Sequence, residues 1–191
     1  MRDSHDLRDA AVLAAMAMLL LGSRRARAQE HAHAESHPAP SAPLAIPASI
    51  RAEHQEIHEE LVAATKLPGA VGAAASELAA VLHPHFVREE QIALPPLSLL
   101  APLARGERTP GMRAVLPMTD SLRAELPRML QEHVAIHAAT VKLGEVARAA
   151  GNASVAHLAE KLAVHAKSEE EVFYPAAILV GDLVRHPMPH H

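Results

Sequence analysis

The chain has 191 residues, 18 basic and 22 acidic side chains for a formal charge of -4, and a composition that is 49% hydrophobic but only 2% aromatic. Such a length holds one domain, or one domain and a tail, and abundant Ala and Leu with scarce aromatics favours helix over strand. Cysteine is absent, which excludes disulfides, thiolate metal sites and iron–sulfur clusters, and an acidic balance with no basic stripe argues against nucleic acid.

Residues 1–28 read as an export signal. Ala10 to Gly22 is an apolar run of signal-core length, too short for a comfortable membrane span, and Ala26-Arg27-Ala28 offers a small-x-small cleavage site. Cleavage would remove five Arg and three Asp, leaving 13 basic and 19 acidic residues, a formal -6. The expected location is then periplasmic or extracellular. Asp3, Asp6 and Asp9 ahead of the run, and Arg24, Arg25 and Arg27 behind it, keep an uncleaved membrane anchor or a packed extra helix as alternatives. Residues 29–47 form a linker rich in His and Pro (His31, His33, His37, Pro38, Pro40, Pro43, Pro47), where the prolines prevent a helix.

A first helix is expected from Ala48 to Leu67, capped by Ser49, with Ile50, His54, Ile57, His58, Leu61 and Val62 inward; Pro68-Gly69 ends it. A second runs from Ala70 to Leu94, with Leu78, Val81, Leu82, His85, Glu89 and Ile92 inward, a kink at Pro84, and a stop at Pro95-Pro96. Residues 95–118 have no clear period and read as a long cover or lid. A third helix spans Thr119 to Ala150, interrupted at Pro127, with Leu122, Leu126, Leu130, His133, Ile136, His137 and Val141 inward and Gly151 at its C-terminal end. Asn152 caps a fourth helix to about Val180, with Val155, Leu158, Leu162, His165, Glu169, Val172 and Phe173 inward. Residues 181–191 read as a disordered His-rich tail. The fold class is all-α, an up-down-up-down four-helix bundle over residues 48–180.

The fifteen His are not scattered. Two stretches repeat one pattern: His85-Phe-Val-Arg-Glu89-Glu90 and His165-Ala-Lys-Ser-Glu169-Glu170, each with Pro ten residues after its His. Upstream of each lies Glu-His-x-x-Ile-His, at Glu53-His54 to His58 and at Glu132-His133 to His137; 31 residues separate His54 from His85 and 32 separate His133 from His165. A period of that size marks a duplicated supersecondary unit. On a helix, residues i and i+4 share a face, so each copy aims imidazole and carboxylate at one point. Polar side chains on stripes that should be apolar cost several kcal/mol unless paired or metal-bound. Imidazole with carboxylate suits iron, manganese or zinc.

His54, His85-x-x-x-Glu89, His133-x-x-x-His137 and His165-x-x-x-Glu169, in that order, resemble the hemerythrin family, including the bacterial hemerythrin-like, or HHE cation-binding, proteins. The resemblance covers about residues 48 to 180. It implies a metal site in the core of the bundle, with two non-heme iron ions bridged by carboxylates and an oxo or hydroxo group, manganese or zinc being alternatives. The ligands it implies are His54, His85, Glu89, His133, His137, His165 and Glu169, with Glu89 and Glu169 as bridges. His58, His83 and Glu170 are further candidates for the shell, Glu90 and Glu171 outward charges or supporting partners, and His157 a solvent-facing residue. Oxygen carriers place Asp five residues after the last His and line their pocket with aromatics; this chain has Glu at four, and only Phe86, Phe173 and Tyr174, which argues against simple reversible oxygen transport. The expected function is binding of O2 or a related small ligand, NO or peroxide, for storage, sensing or scavenging, without a catalytic residue. The alternatives are a di-iron enzyme that turns over peroxide or NO or oxidises ferrous iron, and an exported metal buffer.

Overall fold

A computed structural model describes residues 44–186. The expected export signal, the linker up to residue 43 and residues 187–191 lie outside the described residues. From residue 44 a short extended segment enters α1 (Ala48–Thr65), which turns back into α2 (Gly69–Ile92). A 3-10 turn, Pro95–Leu99, runs into the short α3 (Leu100–Ala104), and a second, Pro110–Val115, runs into α4 (Leu116–Ala149). After α5 (Ala153–Ser168) a π-helical turn, Glu169–Phe173, leads directly into α6 (Tyr174–Arg185). There is no strand among the described residues.

Local sequence explains the turns. Gly69 has φ +72° after Pro68, a backbone region open to glycine and costly for other residues. At the end of α4, Gly151 has φ +68°, its N–H donates to Arg148 O, and Asn152 N–H donates to Ala147 O at 2.8 Å, the paired closure that a left-handed glycine allows. Asn152 Oδ1 then accepts from Val155 N–H at 3.1 Å and starts α5. Both turns are short, so α1–α2 and α4–α5 are antiparallel pairs. α2 packs on α4 and α1 on α5, closing the ring of four.

Several boundaries differ from the sequence expectation. α1 begins directly after Pro47 with no side-chain cap, so Ser49 lies inside it. Pro127 does not split α4, which is unbroken for 34 residues. Pro84 and Pro127 both face solvent, as do Ala80 and Arg123 four residues back, whose carbonyls the prolines leave without a helical donor. The last helix continues to Arg185 with Gly181 buried, so the tail begins later than residue 181. In α4 the buried stripe runs through Leu122, Met129, His133, Ile136, Thr140 and Leu143, while Leu130, His137 and Val141 are exposed.

The core has two apolar layers with a polar one between. On one side lie Ile57 and Leu61 of α1, Leu78 and Leu82 of α2, Ile136 and Leu143 of α4, and Leu158 and Leu162 of α5. On the other lie Ile92, Leu94, Leu122, Met129, Tyr174 and Ala177. Along α1, α2, α4 and the run from α5 into the π-helical turn, the buried His and Glu fall between these two sets.

Candidate metal centre

Six buried polar side chains meet in that middle layer: His54, His85, Glu89, His133, His165 and Glu169, each 3% exposed or less. They form two groups that share one carboxylate. His85, Glu89, His133 and Glu169 have donor atoms all within 4.8 Å of one another, and so do His54, His165 and Glu169. Glu169 reaches both: Oε2 lies 3.3 Å from His133 Nε2, and Oε1 lies 2.7 Å from His165 Nε2 and 3.6 Å from His54 Nε2. Glu89 Oε1 is 3.3 Å from His85 Nε2.

Each imidazole presents its other nitrogen to an outer carboxylate. His85 Nδ1 is 2.9 Å from Glu132 Oε2, and His133 Nδ1 is 2.7 Å from Glu170 Oε1. His165 Nδ1 is 3.2 Å from Glu53 and His54 Nδ1 is 3.5 Å from Glu90, within ion-pair reach but out of line for hydrogen bonds. The Glu of each Glu-His pair supports a His of the other copy; the second Glu of each Glu-Glu pair supports a His of its own copy. A carboxylate on Nδ1 holds the proton there and turns the Nε2 lone pair inward, the support that metal-binding imidazoles usually have.

The inward nitrogens then face one another: His85 Nε2 is 2.8 Å from His133 Nε2, and His54 Nε2 is 3.1 Å from His165 Nε2. Two lone pairs at that distance repel unless positive charge lies between them. The carboxylates point the same way: buried Glu89 Oε2 has no hydrogen-bond donor, and Glu169 Oε1, although 2.7 Å from His165 Nε2, is out of line for one. Unpaired buried oxygens of this kind cost about 1–3 kcal/mol or more. The donor set therefore fits cations, and oxygen and nitrogen donors without sulfur fit the harder divalent and trivalent metals.

The protonation equilibria carry the same demand for positive charge. Burial opposes charge on His54, but Glu169 and Glu90 outweigh it and push its pKa up to about 9. Burial likewise opposes His85, and Glu89 and Glu132 push it up to about 9. His133 and His165 are raised against burial chiefly by Glu169. Burial would raise Glu169, yet His133, His165 and His54 hold it well below the ordinary carboxylate range. Glu89 goes the other way, raised by burial and then by the charge of Glu169.

Six of the seven expected ligands thus come together, and His137 does not. It lies on the exposed side of α4, while Ile136 and Thr140 take the inward positions. His58 and His83 are half-buried and outside both groups, and His157 is exposed beside Glu160. Glu90 and Glu170 face imidazoles, and Glu171 is 3.7 Å from Lys167. Sequence reasoning did not assign Glu53 and Glu132 a role, although their repeated place before His54 and His133 was a signal. Nor did it place Tyr174 in the site. This residue is 0% exposed; its hydroxyl contacts Glu89 Oε1 and lies 3.3 Å from His85 Nε2 and 3.2 Å from His133 Nε2. Phe86 lies on the other side, stacked on His54 at a centroid distance of 4.2 Å.

Fold and site together define a helical bundle built to hold cations in its core. The sequence matches the hemerythrin HHE cation binding domain over residues 45–177, and the chain belongs to that family. Neither a curated protein nor a solved structure gives a significant match.

Proposed function

We propose that this domain holds two non-heme iron ions and binds O2 or a related small ligand, NO or peroxide, for storage, sensing or scavenging. The observation that carries the reading is the pair of donor groups joined through Glu169, one with His85, Glu89 and His133 and the other with His54 and His165. A carboxylate shared by two groups suits two cations held close together, and Glu89 Oε2, which has no hydrogen-bond donor, would be a further oxygen for a cation to bind. When bound, a pair of iron ions would supply redox-active positions for a small exogenous ligand. The chain itself orients the imidazoles through Glu53, Glu90, Glu132 and Glu170, and its two apolar layers exclude water from above and below.

The test is to purify the full chain aerobically, count metal, and record visible spectra with and without reductant and oxygen. Two irons per chain with a spectrum that responds reversibly to the ligand are expected. Zinc alone, or one metal per chain, would refute the reading. Sustained consumption of added peroxide by the same samples would assign turnover instead of binding. His165→Ala and Glu89→Ala should each abolish stoichiometric iron, while His157→Ala should retain it; equal retention in all three contradicts the donor set.

A further inference from the structure

The two donor groups are related by the internal repeat, but they are not equal. Aligning the copies on His85 and His165 sets Leu94 opposite Tyr174, each nine residues after its His and each followed by Pro. Both residues are 0% exposed. Both backbone N–H groups donate five residues back, Leu94 to Glu89 O at 3.0 Å and Tyr174 to Glu169 O. This wider turn puts residue i+5 where an α-helix would put i+4, so Tyr174 rather than Phe173 faces the site. In the first copy the side chain so placed is a hydrocarbon. In the second it is a phenol whose oxygen lies among Glu89 Oε1, His85 Nε2 and His133 Nε2.

The hydroxyl donates its one proton to Glu89. With a cation in place of protons at the centre, the imidazoles keep their Nδ1 protons toward Glu132 and Glu170, and their Nε2 atoms face the same point as the phenol oxygen with lone pairs. Four electron-rich atoms converging on one point is the arrangement of a coordination shell. We infer that Tyr174 is a ligand of the first subsite through its phenolate oxygen, making that subsite the harder and more anionic of the two and selective for a trivalent ion. With Glu89 and Glu169 it would bring three negative charges to bear there. No tyrosine faces the His54–His165 group, which keeps its position for an exogenous ligand. A bound cation can deprotonate a buried acid that would otherwise stay neutral, and the phenol proton then leaves to solvent.

This inference rests on the proposed pair of cations, and one set of measurements separates the two. Tyr174 is the only tyrosine and tryptophan is absent, so near-ultraviolet absorbance reports this phenol almost alone. Adding Zn2+ to the metal-stripped full chain should produce a phenolate difference spectrum, and loading with ferric iron should produce a visible phenolate-to-iron band. Tyr174→Phe and Tyr174→Leu should lose the band and at least tenfold in ferric affinity, while the exposed His157→Ala, outside both donor groups, keeps both. An iron-loaded wild type without the band, or a band that survives in Tyr174→Phe, overturns the assignment. A wild type that takes up no iron at all refutes the proposed function, and the Zn2+ difference spectrum then decides Tyr174 alone. If a variant fails to fold, the two wild-type spectra still decide.

Discussion

Glu132 touches two positive groups at once. Its Oε1 accepts from Arg128 Nε at 2.8 Å, and its Oε2 faces His85 Nδ1 at 2.9 Å. Burial would raise its pKa, but His85 and Arg128 hold it below the ordinary carboxylate value, so it stays charged and keeps His85 oriented. Losing such a supporting carboxylate typically weakens metal affinity about 10–100-fold. Glu132→Gln should weaken cation binding to that extent in competition with a chelator, and unchanged affinity would deny the carboxylate a role. Arg128 is 71% exposed in that pair, and an exposed ion pair contributes little, so Arg128→Ala should move affinity far less. His137→Ala should leave it unchanged. The expectation for His137 came from matching a family pattern onto an i+4 position. Helical spacing from His133 allowed either 136 or 137 inward, and the apolar neighbours on α2 and α5 select Ile136, which is 2% exposed.

At the scale of elements, α6 is fixed to α4 by close approach. A Cβ on Gly181 would lie 2.7 Å from Thr119 Cβ and closer still to Thr119 Oγ1. Thr119 is 3% exposed, and its hydroxyl donates to Leu116 O at 3.2 Å, so rotating its side chain cannot clear the space. Overpacking costs about 1–3 kcal/mol, against about 1 kcal/mol that Ala gains over Gly within a helix. Gly181→Ala should therefore lower stability by about 1 kcal/mol in chemical denaturation of the metal-stripped protein. Gly144→Ala, whose new methyl would meet Ala159 Cβ at 3.2 Å and the end of Arg148, should be near neutral. A destabilised Gly144→Ala beside an unaffected Gly181→Ala would contradict this packing. The four helices and the turn at Gly151-Asn152 were legible because period, cap and glycine all agreed. The π-helical turn was not, since an extra residue in a helix leaves the period unchanged on either side and only shifts the phase between them. Taken in unbroken α-helical phase, Val172 and Phe173 should face inward; in the structure Val172 is 55% exposed and Tyr174 is buried. Pro175, like Pro95 in the other copy, was the visible cue, because proline cannot continue the i→i−4 ladder.

For the whole molecule, duplication explains why the site was readable from one sequence. Each copy brings an imidazole on one helix and an imidazole and carboxylate on the next, and the ring of four helices sets the copies face to face. The result is a core that needs positive charge, and protons or metal ions can each provide it. With metal removed, His54 and His85 titrate at about 9 in the folded chain, against an ordinary value of 6.5. A raised folded pKa means their protonation stabilises the fold fully below 6.5, and that contribution is lost as pH rises through about 9. Glu169, held low, contributes above its ordinary value of 4.5 and loses its contribution as pH falls below that. The stripped protein should thus be most stable in mildly acid solution, and its melting temperature should fall between pH 6.5 and about 9. The loaded protein should lack that fall, because metal takes the place of the protons on the same Nε2 atoms and the unfolded chain no longer holds them above its ordinary value of 6.5. The gap in melting temperature between loaded and stripped protein should widen steadily across that interval. A stripped protein whose melting temperature holds constant or climbs there would mean that the buried imidazoles are not protonated partners of Glu89 and Glu169, and the account of this core as a cation site would lose its electrostatic basis.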